Sequence, residues 1–228
     1  MRNALAWREA MWSRPEWWVV GMGGVSWWLM LRDAVARSAH ASHHHTTVGS
    51  EIVAWHVMVL AMMLPSIALT ARSVALRTRP GWRHPAIAAC LVSYLLPWSA
   101  FGITMVAIRN ARWIDSPWTV ASLCAVATAW AILPVRERAM MHVHGYAPVV
   151  APDGWRTLRD CTATGLIVGA TCILSCWPLM LACLFSGHDL ALISAGGVIG
   201  LVESRSFRPP KRLVIAVTAA LTVFAAVR

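Results

Sequence analysis

The chain has 228 residues, 58% of them hydrophobic and only 13% charged, with a formal net charge of +10. A soluble domain carries roughly a quarter charged residues, so this chain cannot cover itself with polar surface in water, and its arginines stand between apolar runs rather than in the stripe that nucleic acid requires. Its six cysteines lie in or beside apolar runs without regular C-x-x-C spacing, which excludes the disulfide framework of a small secreted domain.

A membrane-crossing helix needs about 20 mostly apolar residues. Seven segments meet or approach that length, at 17–33, 51–71, 85–108, 116–135, 160–185, 189–203 and 212–227. The expected fold is therefore all-α, a polytopic transmembrane helical bundle of those seven helices. It forms a single integral membrane domain over residues 1–228, with the lipid bilayer as its first partner and no nucleic acid. The first segment has paired tryptophans at both ends, Trp17 and Trp18, then Trp27 and Trp28. Such pairs mark two membrane interfaces and favour a retained helix over a cleaved signal peptide. Of the 20 Lys and Arg residues, fifteen fall on the N-terminal side of a seven-helix reading. Five, Arg32, Arg37, Arg109, Arg112 and Arg228, fall on the other. The positive-inside bias then puts the N-terminus in the cytoplasm and the C-terminus outside. Long loops are expected at 32–51, outside, and at 136–160, inside.

Within the outer loop, His40, His43, His44 and His45 offer several imidazole nitrogens for capture of a transition metal, although a polar loop that is merely His-rich reads the same way. The second helix carries Trp55, His56, Met58, Met62, Met63 and Pro65. Met58 and Met62 are one turn apart on one face, and His56 and Met63 lie on a neighbouring face. Thioether sulfur selects soft Cu(I), but methionine is also an ordinary gap-filler. Pro65 frees a backbone carbonyl that a neighbour must satisfy. On the fifth helix Cys161, Cys172, Cys176, Met180 and Cys183 fall within an arc of about 100° at 3.6 residues per turn. That places a column of soft sulfur on one face. The second helix runs inward and the fifth outward, so Met58 and Met62 come to the depth of Cys172, Cys176 and Met180. His56 and His188 lie near the outer ends of these helices, above the sulfur column. Met140, Met141, His142 and His144 make a second soft group in the inner loop, where a solvated role is the plainer one. Glu203 ends the sixth helix beside Arg205, suggesting an interfacial pair. The spacings Gly165/Gly169 and Gly196/Gly200 allow close helix approach. There is no G-x-S-x-G, phosphate-binding glycine loop, H-E-x-x-H or pair of intramembrane carboxylates, so an enzyme is not expected.

Trp55-x-x-Met58-x-x-Ala61-Met62-Met63-x-Pro65, then Tyr94-x-x-x-Trp98-x-x-Phe101, then Gly169-x-x-Cys172-x-x-x-Cys176-Trp177-x-Leu179-Met180, and a terminal Glu203 together resemble the bacterial predicted metal-binding integral membrane proteins (DUF2182-type). One member of that family is regarded as a copper chaperone for a tyrosinase. The resemblance runs over about residues 50 to 205. It implies a metal role, with copper as Cu(I) favoured, for Met58, Met62, Met63, Cys172, Cys176 and Met180, to which the helix register adds His56. It also implies the bacterial cytoplasmic (inner) membrane. The chain departs from the pattern at Ser175, where the family has the first of two adjacent cysteines, and at Ala139 and Val143, where cysteines are expected. The leading expectation is a metallochaperone that collects copper outside, at His40, His43, His44, His45 and His188, and delivers it to a cuproenzyme or periplasmic metal-binding partner. A transmembrane metal transporter and a non-metal assembly subunit are the alternatives.

Overall fold

In the computed structural model, residues 14–39, 47–111, 118–145, 148–205 and 211–227 are described, and among them the regular structure is entirely helical. Helices are numbered in chain order: α1 (Trp17–Ala39), α2 (Val48–Arg77), α3 (Arg83–Asn110), α4 (Thr119–Ile132), α5 (Pro134–Gly145), α6 (Gly154–Phe185), α7 (Leu190–Arg205) and α8 (Lys211–Val227). The His-rich positions His40, His43, His44 and His45 lie outside the described residues.

Local chemistry sets these boundaries. Thr47 caps α2, its hydroxyl accepting from the Ser50 amide at 3.2 Å, and Glu51 places negative charge in the first turn. Residues 48–64 and 67–77 of α2 are bent by 68° across Pro65, which has no amide hydrogen to continue the ladder. A second proline, Pro134, starts α5 at 74° to α4 and sits at the first helical position, where its fixed φ suits a start. The α6–α7 turn takes only four residues. Gly187 adopts φ +69° and His188 φ +63°. The His188 amide donates to Cys183 O at 2.9 Å and that of Gly187 to Leu184 O at 3.2 Å, which closes α6 as a Schellman motif. Asp189 then caps α7 by accepting from the Ala191 amide at 2.8 Å.

α3 and α6 pack along their length, α1 and α7 lie on α2, α5 lies on α6, and α8 lies on α4. A side chain at Gly165 would strike Ser93 Oγ and Cys90 O, and one at Gly169 would strike Tyr94 O, so both glycines are needed for the α3–α6 contact. Trp55, fully buried, wedges α2 against α3. Its indole donates to Trp98 O at 3.0 Å and packs against Trp98 and Phe101 with centroids 6.0 and 5.9 Å away. Thus three aromatic residues of the recurrent sequence pattern hold helices together rather than forming a site. At one end of the bundle Arg109 donates to Leu184 O at 3.0 Å, while Asn110 reaches Glu51 at 3.0 Å, tying α2, α3 and α6.

Among the described residues, two helical stretches are long and apolar enough to cross a membrane, Pro80–Asn110 and Gly154–Phe185. There are four if each bent pair is one span. The other predicted segments, 17–33, 189–203 and 212–227, are also helical but shorter or more charged. The expected inner loop 136–160 is instead helical over much of its length. Pro134 ends α4 early without ending helix formation, and Gly154 begins α6 six residues ahead of the predicted start.

A sulfur-lined candidate metal site

Six helices meet around a cavity of about 50 Å³. That is room for more than one water-sized body, since one needs about 10–15 Å³ by the same measure. Its wall carries Met62 and Met63 of α2, Met140 of α5, and Cys172, Cys176 and Met180 of α6. Ala127 and Ala131 of α4, Gly196 and Gly200 of α7, and Val214 of α8 complete it with small or apolar groups. Gly196 lets α7 approach closely here, since a side chain at that position would displace the Met62 methyl.

The prolines explain why the wall opens where it does. Pro65 leaves Ala61 O without its helical donor, and the Trp27 indole of α1 donates to it at 2.9 Å. Pro178 does the same to Leu174 O, which receives the Trp130 indole of α4 at 3.0 Å. Both breaks adjoin the sulfur residues of their own helix. Met62 and Met63 precede one, and Cys176 and Met180 flank the other.

Cys172 is the hub. Its Sγ accepts a hydrogen bond from the Tyr94 hydroxyl at 3.3 Å and donates toward Met63 Sδ at 3.6 Å. Its carbonyl accepts from Ser175 Oγ at 2.8 Å and from Cys176 Sγ at 2.9 Å. All six cysteines are free thiols. On one side of the cavity the wall becomes ionic: Arg136 Nη2 of α5 meets Glu203 Oε1 of α7 at 2.6 Å, both side chains largely buried, and Arg136 Nε donates to Ser175 O at 3.1 Å.

Of the predicted ligands, Met62, Met63, Cys172, Cys176 and Met180 are therefore brought together. Met58 is fully buried in the core but does not line the cavity. His56 is also outside it, with both ring nitrogens engaged, Nδ1 on Ile52 O at 2.7 Å and Nε2 on Ser99 Oγ at 2.8 Å. His188 occupies the α6–α7 turn, at the Arg109 end of α6. The predicted sulfur column divides: Cys161 packs with Cys90 in a separate cluster, and Cys183 lies in the main core. Glu203 pairs with Arg136 of α5. Met140 belongs to the wall, not to a solvated loop, whereas Met141 is 59% exposed. Sequence reasoning missed Arg136, which it treated as loop charge, and Trp27 and Trp130 as proline partners. The signal was present, since each proline inside a helix frees a carbonyl that demands a donor, and a buried glutamate demands a cation.

Among the described residues no group of three or more His, Cys, Asp and Glu side chains is placed to hold an ion. The donors in this cavity are instead four thioethers and two thiols, a set that favours soft Cu(I) over the nitrogen- and oxygen-preferring ions.

A family model described as a copper chaperone, PpoB2, matches residues 52–228. No curated protein and no solved structure matches the chain. The matched range begins three residues before Trp55 and covers every sulfur residue of the cavity wall.

Proposed function

The chain belongs to the PpoB2 copper-chaperone family, and from that premise we propose that the sulfur-lined cavity holds Cu(I) as cargo and passes it to a partner cuproenzyme of the tyrosinase type, without catalysing a reaction itself. The observation that carries this reading is the convergence of six sulfur residues from three helices on one cavity. Sulfur used only as filler has no reason to gather there.

The spacing of the hub supports a particular kind of holding. Taking the metal–sulfur length of about 2.3 Å known for zinc thiolates, two sulfurs on opposite sides of an ion stand about 4.6 Å apart. Cys172 Sγ and Met63 Sδ are 3.6 Å apart. That separation fits a bent pair with a third sulfur completing the ion's shell, and Met62, Cys176 and Met180 are at hand. Thioethers are weak, neutral ligands, so an ion held largely by them is released more readily than one enclosed by four thiolates. This suits delivery better than storage. In the same scheme His40, His43, His44, His45 and His188 supply nitrogen ligands for capture.

The surroundings support a bilayer. Val53, Leu69, Val92, Leu96 and Ile103 all point outward and are at least half exposed. A belt of apolar side chains on that scale is a binding surface rather than a water-facing one. We place the chain in the bacterial inner membrane as a multi-pass protein.

Metal analysis tests the function directly. Protein purified in detergent and loaded anaerobically with Cu(I) is expected to retain roughly stoichiometric copper, and the Cys172→Ser, Cys176→Ser double variant to retain little. Wild-type protein that stays metal-free, or a double variant that binds undiminished, overturns the proposal.

A further inference from the structure

The cavity has one polar side, and it is built by α5. Behind Met180 the wall is sealed: Leu181, Ala182, Cys183 and Leu184 are all buried and apolar. On the opposite side stand Met140, which is 7% exposed, and the Arg136–Glu203 pair. Only one residue beyond Met140, Met141 is open to the surroundings, and the next, His142, is exposed as well. In the other direction the next sulfur on α6, Cys183, is fully buried between Ala182 and Leu184, whereas Met141 is open to the surroundings.

The geometry points to α5 as the face through which the cargo is exchanged, with Met140 as the exchange ligand and the Arg136–Glu203 pair as the latch that holds α5 against the cavity. This rests on the copper reading above and adds a route and a residue to it. The step is ligand exchange alone. A bond from the ion to Met140 sulfur forms as a bond to Met63 or Met180 sulfur breaks, the ion stays Cu(I), and no proton or electron moves. Arg136 suits a latch because its guanidinium serves two helices at once, Glu203 of α7 through Nη2 and Ser175 O of α6 through Nε. Between Leu133 and Pro134, moreover, α5 is joined to α4 by a sharp turn of 74°. Such a junction lets α5 swing without deforming the spans.

The test uses full-length protein loaded with Cu(I) and challenged with a soft, coloured Cu(I) chelator, the release rate being followed by absorbance. Met140→Leu keeps volume and loses sulfur. It is expected to slow release about tenfold, the equivalent of about 1.4 kcal/mol, and Met140→Cys to restore it. A packing role predicts the reverse order, since leucine fills the space better than cysteine. Replacing both members of the latch by Gln is expected to speed release by a similar factor. Removing both charges avoids the uncompensated buried charge that a single replacement leaves. Arg136→Lys keeps the pair but loses the fork to Ser175 O, and is expected to fall between wild type and the double variant. Release at wild-type rates in Met140→Leu and in the latch variants overturns the exchange face while leaving the copper reading intact. Failure of the wild-type protein to load copper overturns both.

Discussion

Tyr94 shows how much of the site is set by a residue that need not touch the cargo. Its hydroxyl, buried at the α3–α6 contact, donates to Cys172 Sγ at 3.3 Å. Hydrogen bonds to an ionised acceptor are worth about 1.5–3 kcal/mol, against about 1 kcal/mol for a neutral one. A thiol that becomes a metal-bound thiolate therefore gains more from Tyr94 than the resting thiol does. Tyr94→Phe keeps the ring and removes the donor. It is expected to weaken Cu(I) binding by about tenfold, or about 1.4 kcal/mol, in competition against a chelator of known affinity, while the unfolding midpoint of the metal-free protein shifts little. Unchanged affinity would show the hydroxyl to be idle. The sequence displayed Tyr94 and Cys172 as members of one pattern, but their partnership needed Gly165 and Gly169, which bring α6 close enough to α3 for the phenol to reach the sulfur.

At the level of elements, the helices and the sulfur residues of α2 and α6 were legible because length, apolarity and one-turn spacing are local properties. What was not legible was the pairing of elements. Met58 and Met62 share a face in an ideal helix, yet Met62 and Met63 line the cavity and Met58 does not, because α2 bends by 68° just beyond them and α7 approaches at Gly196. The bend has its own support, which gives a prediction. Removing the Trp27 indole leaves Ala61 O buried without a donor, and removing that of Trp130 leaves Leu174 O, on a residue 42% exposed toward the proposed bilayer, without one. An unmet buried carbonyl costs about 1–3 kcal/mol. Trp27→Phe and Trp130→Phe are each expected to lower the unfolding midpoint by several degrees, at about 2–4 °C per kcal/mol. Trp17→Phe, at an exposed position, is expected to stay within about 0.5 kcal/mol of wild type. Equal effects at all three positions would remove the carbonyls as the cause. α5 was missed for a related reason: Pro134 and its neighbouring charges read as a loop, and only α7, arriving with Glu203, gives Arg136 a buried partner.

For the whole molecule, the orientation in the membrane decides which compartment the exchange face serves. The excess of arginines on one side predicts a cytoplasmic N-terminus, and with it a cytoplasmic position for the end of α4 where α5 begins. On that orientation the start of α2, beside Arg109 and Leu184 O, is expected to face out. Two introduced cysteines test this. Gly49 and Met141 are both exposed, and a side chain at Gly49 would meet little but Thr47 Oγ1. Gly49→Cys is expected to react with a membrane-impermeant maleimide in intact spheroplasts. Met141→Cys is expected to react only after the membrane is broken, against a background in which five of the six native cysteines are buried. If Met141→Cys is labelled from outside, α5 faces the partner compartment and delivery needs no crossing of the bilayer. With the expected pattern, capture at the outer histidines and exchange at α5 lie on opposite sides. Copper uptake into sealed vesicles that depends on Met140 would then favour the transporter alternative, and its absence would favour delivery to a partner.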